Sequence, residues 1–400
     1  MQIATRLVVL LTVLAPAAAL AAPAPAAAAI PLGFVGMAPD PGVIPSSVVN
    51  REYGLMAASG VESVRLPFYW SHGQPYPTRA EVPAAQSRNF VDIAGVPTDF
   101  RTMDGYVAVT ARHRLRLLPI VLAAPRWARQ FPRRDFSPPA AVEPYAAFLR
   151  ALIGRYGPRG SFWRANPRLP RQPIRDWQVW NEENGQRFWD DDDPQSLPPY
   201  RTRWLSTYPQ LLRAAYSAVK AADPGARVVL GGLVGQSWTA LDRLYSANPG
   251  LGRAFDVAAV HPYTALPENV VRIVRYARQV MNRHGDARKH LLATEFGWPS
   301  AAGHGVPSLG FETTEAEQAR RLRKALQLFA AARGALKLDG IYWYTWATFD
   351  KPPGVFSWAG LRRRSFAGRF TSKPGLTALR VTARALEGCG RRGVRRPGCQ

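Results

Sequence analysis

Two short segments carry the carboxyl groups best suited to chemistry: Asn181-Glu182-Glu183, and Glu295 at the end of the run HLLATE. Two carboxyl groups on either side of a sugar can cleave its glycosidic bond. One, protonated, assists the departing oxygen, while the other, ionised, attacks or stabilises the oxocarbenium-like carbon. Arg65 would keep Glu295 ionised if it reaches that carboxylate, and Tyr263 could position it by donating a hydrogen bond. A negative Glu295 would in turn raise the pKa of the acid across the cleft. Trp70, Trp127, Trp189, Trp343 and Trp346 offer flat faces that suit the C–H faces of pyranose rings, although for any single tryptophan core packing explains its presence equally well.

These residues can act together only if the fold gathers them. Along the chain, short β-branched or aromatic runs alternate with longer amphipathic segments, the pattern of a parallel sheet with crossover helices. Eight strand candidates end near Met37, Tyr69, Ala123, Asn181, Gly232, Tyr263, Glu295 and Trp346. Helical spacing marks residues 53–59, 103–113, 144–156, 208–222, 239–247, 269–283, 315–333 and 375–386. Thr313 or Thr314 ahead of Glu317 is a capping start for the seventh, and Pro224-Gly225 a stop for the fourth. Eight βα units in one series predict an α/β fold of the closed (β/α)8, or TIM-barrel, type, a single domain with extended βα loops. No glycine-rich phosphate-binding fingerprint follows the first strand. Arg65, Asn181, Glu182, Glu183, His261, Tyr263, Glu295, Trp343 and Trp346 then all fall on or near the C-terminal ends of strands, where barrel active sites lie. The long stretches 71–98, 126–140, 185–200 and 301–312 follow strands and should wall one cleft.

Composition agrees with one large core: 47% of the 400 residues are hydrophobic and 11% aromatic. Residues 1–29 read as a signal peptide and small-residue leader, with Arg6, an apolar run from Leu7 to Leu14 and a small-x-small site at Ala19 to Ala21. Pro16, Pro23 and Pro25 interrupt what would need to be roughly 20 apolar residues for a membrane span, so the mature chain is expected outside the cell or at the cell wall, without stable membrane insertion. The catalytic domain is assigned to residues 30–388 and a basic tail to 389–400. Cys389 and Cys399 are the two cysteines and can close a small disulfide loop. No cysteine cluster suggests zinc or iron, and the four acids from Asp190 to Asp193 lack the spaced ligands of a calcium loop, so they read as a solvated loop and no metal or other cofactor is expected. The 52 Lys+Arg against 28 Asp+Glu leave a charge of +24, scattered as arginine along the chain. Nucleic-acid binding would need clustered basic residues beside stacking aromatics and is not expected; a weak association with anionic cell-wall polymers is.

At these motifs the chain resembles the clan A glycoside hydrolases, barrels whose acid/base and nucleophile are glutamates ending strands four and seven. WQVWNEEN (177–184) resembles the Asn-Glu acid/base motif, TEFGWPS (294–300) the nucleophile segment, and VRLPFYW (64–70) the second-strand arginine segment. The likeness continues through Phe188-Trp189, KAADPGARVVLGGL (220–233) and VHPY (260–263), and the nearest subgroups are families 39 and 5. It implies a retaining hydrolase acting on an oligo- or polysaccharide, with Glu182 as acid/base and Glu295 as nucleophile. Asn181 would contact the sugar 2-hydroxyl, Arg65 and Tyr263 would orient Glu295, and His261 would line the site. A transglycosylase or a non-catalytic carbohydrate-binding barrel would use the same cleft. Glu183 stands where the family often has proline, and no family 5 histidine motif follows the third strand. Simple strand alternation would put Asn181 and Glu183 on one side, so the choice of Glu182 rests on the family.

Overall fold

The computed structural model describes residues 30–193 and 201–389, with Arg396 and Cys399. Eight parallel strands close into a barrel: β1 (Val35–Met37), β2 (Ser63–Tyr69), β3 (Arg116–Leu122), β4 (Asp176–Val179), β5 (Arg227–Leu233), β6 (Val257–Val260), β7 (His290–Phe296) and β8 (Leu338–Trp343). Each pairs with its neighbours in sequence, and β8 pairs with β1 to complete the ring. Strands buried on both faces need apolar residues at nearly every position, and β3 (RLLPIVL) and β6 (VAAV) have them. Val229, Val257, Ala259, Leu292, Leu118 and Tyr342 form a cluster separate from the larger one that joins strands to helices. The TIM-barrel expectation holds.

The outer layer consists of α1 (Ser46–Ala58), α2 (Arg101–Arg112), α3 (Glu143–Tyr156), α4 (Trp204–Ala222), α5 (Ser237–Ala247), α6 (Pro267–Arg283), α7 (Glu315–Leu336) and α8 (Pro374–Glu387). Thr314 caps α7 by accepting from the Glu317 amide at 3.2 Å. Pro209 lies inside α4 and cannot donate to the Leu205 carbonyl; Asn248 supplies that bond instead, at 2.8 Å. Among the described residues no helix is long and apolar enough to cross a membrane.

Two expectations change. The eighth strand ends at Trp343, and a three-stranded sheet of Ala347–Thr348, Arg362–Arg364 and Phe370–Ser372 follows it, making the loop after β8 a large wall at the C-terminal face. The acidic run is no solvated loop: Asp191 and Asp193 are buried, Asp191 pairs with buried Arg201, and Arg134 bridges Asp190 and Asp192. The basic tail is tied back at its described residues, since Cys389 is disulfide-bonded to Cys399 and Arg396 pairs with buried Glu62 at 3.0 Å. The leader at 1–29 lies outside the described residues.

The wall after β8 is tied down by Glu52 of α1. This fully buried carboxylate accepts from the indole of Trp346 at 2.9 Å and from the guanidinium of Arg362, while Arg51 approaches its other oxygen at 3.2 Å. Removing one partner of a buried ion pair leaves an uncompensated charge, here that of Arg362. Glu52→Ala should therefore lose about 3–5 kcal/mol of unfolding free energy in urea titrations. A loss below about 1 kcal/mol, the size of an exposed pair, would contradict this anchoring.

Candidate active site

The site begins with Arg65, which projects from β2 into the barrel mouth and is only 2% exposed. A guanidinium is always charged and carries its donors in a rigid fork, so at this depth it needs acceptors on several sides. It has three: Nε donates to Gln178 Oε1 at 2.7 Å, Nη1 to Glu295 Oε1 at 2.6 Å and Nη2 to Asn181 Oδ1 at 2.6 Å. β2, the β4 segment and β7 are thus joined at one charge. Because the Asn181 oxygen is engaged, its amide nitrogen is left to face away from Arg65.

Glu295 takes its second hydrogen bond from the Tyr263 hydroxyl, at 2.8 Å on Oε2. Burial raises its pKa, but the charges of His261 and Arg65, with the hydrogen bonds from Arg65 and Tyr263, outweigh burial and set it below the ordinary glutamate value. Burial and the Glu295 charge push the Tyr263 phenol far up, so it stays a donor. His261 Nδ1 lies 2.8 Å from Glu182 Oε1 and 3.8 Å from Glu295 Oε2. One oxygen of each glutamate and a His261 nitrogen all fall within 4.8 Å of one another. That triangle could hold a cation by geometry, but the Arg65 guanidinium already balances the Glu295 charge.

Local backbone conformation separates the two adjacent glutamates. β4 stops at Val179, and Trp180 (φ 69°) and Glu182 (φ 47°) adopt left-handed conformations, so strand alternation no longer applies. Glu182 lies against His261 with 16% of its side chain exposed, close to the 14% of Glu295, whereas Glu183 turns inward and is fully buried. Two glycines of β5 make this possible. A Cβ on Gly231 would overlap the Glu183 carboxylate, and one on Gly232 would overlap the His261 ring. Neither Glu183 oxygen makes a well-formed hydrogen bond, although the Tyr208 hydroxyl is near enough to couple with it. That hydroxyl donates to Val179 O and accepts from Gly231 N. Burial pushes the Glu183 carboxyl up to about 8, with the neighbouring Glu182 charge adding to it.

A cavity of about 280 Å³ lies over Arg65, Asn181 and Glu295, bordered by Tyr69, Phe136, Arg187, Phe188 and Tyr344. A wider groove of about 670 Å³ adjoins it, sharing Asp40, Arg187 and Tyr344, and runs along Leu309, Phe349, Lys351 and Phe356. Phe136, Arg187 with Phe188, and Pro307 with Leu309 contribute walls from the loops after β3, β4 and β7, whereas 71–98 contributes none to these two cavities; the β1 and β8 loops take that place. Of the sequence candidates, Arg65, Asn181, Glu182, His261, Tyr263 and Glu295 converge. The tryptophans do not. Trp189 is packed edge-on against Trp180 and Tyr208, Trp343 lies against Phe296 and Trp298, and Trp346 is buried on Glu52, leaving no face for a sugar. Trp127 is half-buried on Trp70, with its indole donating to Gln74 O at 2.8 Å, and lines neither cavity. The aromatic that does border both cavities is Tyr344, next to Trp343 in the run IYWYTW, which sequence reasoning passed over along with Gln178, Arg187 and the two glycines.

No protein-family model matches the chain, and no curated protein matches it. Solved structures do. A family 39 glycoside hydrolase from the gut symbiont Bacteroides cellulosilyticus WH2 superposes with a TM-score of 0.61 at 19% identity, over 90% of this chain and 64% of that one. A monomeric β-xylosidase from Caulobacter crescentus CB15 gives 0.59 at 17%, over 88% and 69%. A GH5_18 structure from Streptomyces cattleya in complex with GlcNAc gives 0.57 at 17%, over 90% and 81%. The chain therefore spans about two thirds of the first two proteins. Its structural neighbours are TIM-barrel glycoside hydrolases, consistent with the clan A resemblance of its motifs.

The burial of Glu183 has a measurable consequence. Its carboxyl is protonated in the fold up to about pH 8 but ionises near 4.5 when unfolded, so folding takes up a proton between these values. Its contribution to stability is complete below the lower value and falls as pH rises to the upper one. Glu183→Gln, which cannot ionise, should gain stability relative to the parent between about pH 5 and 8.5, read from urea midpoints. A stability difference that stays constant with pH would contradict the assignment.

Proposed function

We propose that the chain is a retaining glycoside hydrolase in which Glu295 is the nucleophile and Glu182 the acid/base. One observation carries this reading: an ionised carboxylate that lines an open cleft and is held by Arg65 and Tyr263 has an oxygen within 4.8 Å of an oxygen of the partly exposed Glu182. Retaining sites hold their carboxyl groups about 5–5.5 Å apart, whereas inverting sites leave about 6.5–9.5 Å for a water. The nearest-oxygen approach here supports the shorter class.

In the first step Glu182 gives its proton to the departing glycosidic oxygen as Glu295 bonds to the anomeric carbon. In the second, Glu182 takes a proton from water, which displaces Glu295 from the same face. The low pKa of Glu295 keeps it ionised for attack. His261, with a proton on Nδ1, would stabilise Glu182 after that group has lost its own. Asn181, its oxygen held by Arg65, would present its amide nitrogen to a sugar hydroxyl. We also propose that the protein works outside the cell, on the leader-like residues 1–29 and with a disulfide suited to oxidising surroundings. Mature protein from the medium should begin after Ala19; an intact Met1 on cytoplasmic protein would contradict export.

Turnover by variants separates the roles. Glu295→Ala should abolish hydrolysis of every substrate, while Glu182→Ala should lose on the order of 10² to 10⁴ in rate on glycosides with poor leaving groups. On activated aryl glycosides its first step should survive, and added azide should restore turnover with retained configuration; in Glu295→Ala azide should give the inverted product. Glu183→Ala, provided it folds, should not show the leaving-group dependence. Inverted first product from the parent enzyme by NMR would overturn the mechanism, and leaving-group dependence in Glu183→Ala alone would move the acid/base by one residue.

A further inference from the structure

The groove beyond the glutamates holds two cations that the fold does not neutralise. Several loop arginines are paired with carboxylates: Arg134 with Asp190 and Asp192, Arg201 with Asp191, and Arg363 with Asp350 and Glu315. Arg187 and Lys351 differ. Both are exposed, both line the 670 Å³ groove, and among the described residues neither makes an ion pair or a hydrogen bond. Aromatic rings hold them instead. The Arg187 guanidinium lies 5.4 Å from the centroid of Phe188, and the Lys351 ammonium lies 5.7 Å and 4.9 Å from those of Phe349 and Phe366. A cation over a ring is positioned without losing its charge to a counter-ion, so it remains available to an anion from outside.

Phe366 adds a second, independent feature. It is 77% exposed, more than any other large apolar residue described, and stacks on Phe349 with centroids 5.6 Å apart and planes 17° from parallel. Such a ring, held beside the groove by its stacking on the lining residue Phe349 and by Lys351, is unfavourable to leave in water and matches the apolar face of a pyranose. The groove is within the usual 300–1,000 Å³ of a ligand site and adjoins the cavity over Glu295, so it has room for sugar units beyond the scissile bond. Asp40 is the acid on its wall, at the junction with the inner cavity where Arg187 also lies, whereas Lys351 lines the outer groove alone.

We propose that this groove binds an acidic oligosaccharide chain whose uronate carboxylates pair with Arg187 and Lys351 and whose ring stacks on Phe366. Cleavage of such a chain rests on the hydrolase reading above; its binding does not. The test is therefore binding by the full-length Glu295→Gln variant, using affinity electrophoresis in polygalacturonate, alginate and their carboxyl-reduced neutral forms. The uronate polymers should bind more tightly than the reduced ones. Arg187→Ala and Lys351→Ala, added to that variant, should each weaken uronate binding about threefold to tenfold. Arg275→Ala removes the same charge from an exposed position on α6 and should have no such effect. Equal binding of the reduced polymers, or equal loss in Arg275→Ala, would overturn the proposal by reducing it to the general +24 charge. A sulfated polymer without carboxylates binding as tightly would overturn its uronate part. If the acidic chain binds but the parent cleaves neither form, the proposal stands and the hydrolase reading falls; if the parent cleaves glycosides but binding ignores the carboxylates, the reverse holds.

Discussion

A guanidinium inside a protein keeps its charge, and the barrel mouth is arranged around that constraint at Arg65. Its three hydrogen bonds draw Gln178, Asn181 and Glu295 to one point from two different strands and the segment after one of them. The consequences extend in both directions from the ion pair. Towards the cleft, the pair acts with the His261 charge to outweigh the desolvation of Glu295 and hold its pKa below the ordinary glutamate value. Towards the core, it fixes which end of the Asn181 amide faces out, because only the oxygen can accept from Arg65.

Glu182 and Glu183 show how environment can separate two identical side chains. The left-handed turn at Trp180 and Glu182 sends one carboxyl against His261 and the next against the bare backbone of Gly231. The first meets solvent and a histidine nitrogen, the second an apolar enclosure that favours its neutral form. The Glu182 charge adds to that preference, so the buried neighbour stays neutral beside it. The outer wall follows a different logic: Glu52 fastens the β8 loop through Trp346 and Arg362, and this anchored loop carries Phe349, Lys351 and Phe356 to the groove.

The barrel was legible because buried parallel strands demand continuous apolar runs and the helices between them demand a 3.6-residue period; all eight strands and all eight helices fall on the stretches these patterns mark, with β6 and β8 ending about three residues early. The polar residues that meet at the mouth were legible for the same reason, as strand ends. What escaped depends on local geometry that no period encodes. Counting β8 to Trp346 instead of Trp343 drew attention to two buried tryptophans and away from Tyr344 between them. Pairing of Asp191 with Arg201 turned an apparently hydrated acidic run into a buried one. Gly231 and Gly232 read as ordinary strand residues, and only the side chains opposite them show why a Cβ is excluded.

The account rests on Glu295 forming a bond to the sugar. The most direct measurement is intact-mass and peptide analysis after incubation with activated 2-deoxy-2-fluoro glycosides, whose fluorine slows release of the glycosyl intermediate more than its formation. For a sugar the protein accepts, one glycosyl unit should accumulate and map to Glu295. A glycosyl unit on another residue, or turnover of the parent glycoside with no covalent species on any residue, would contradict it.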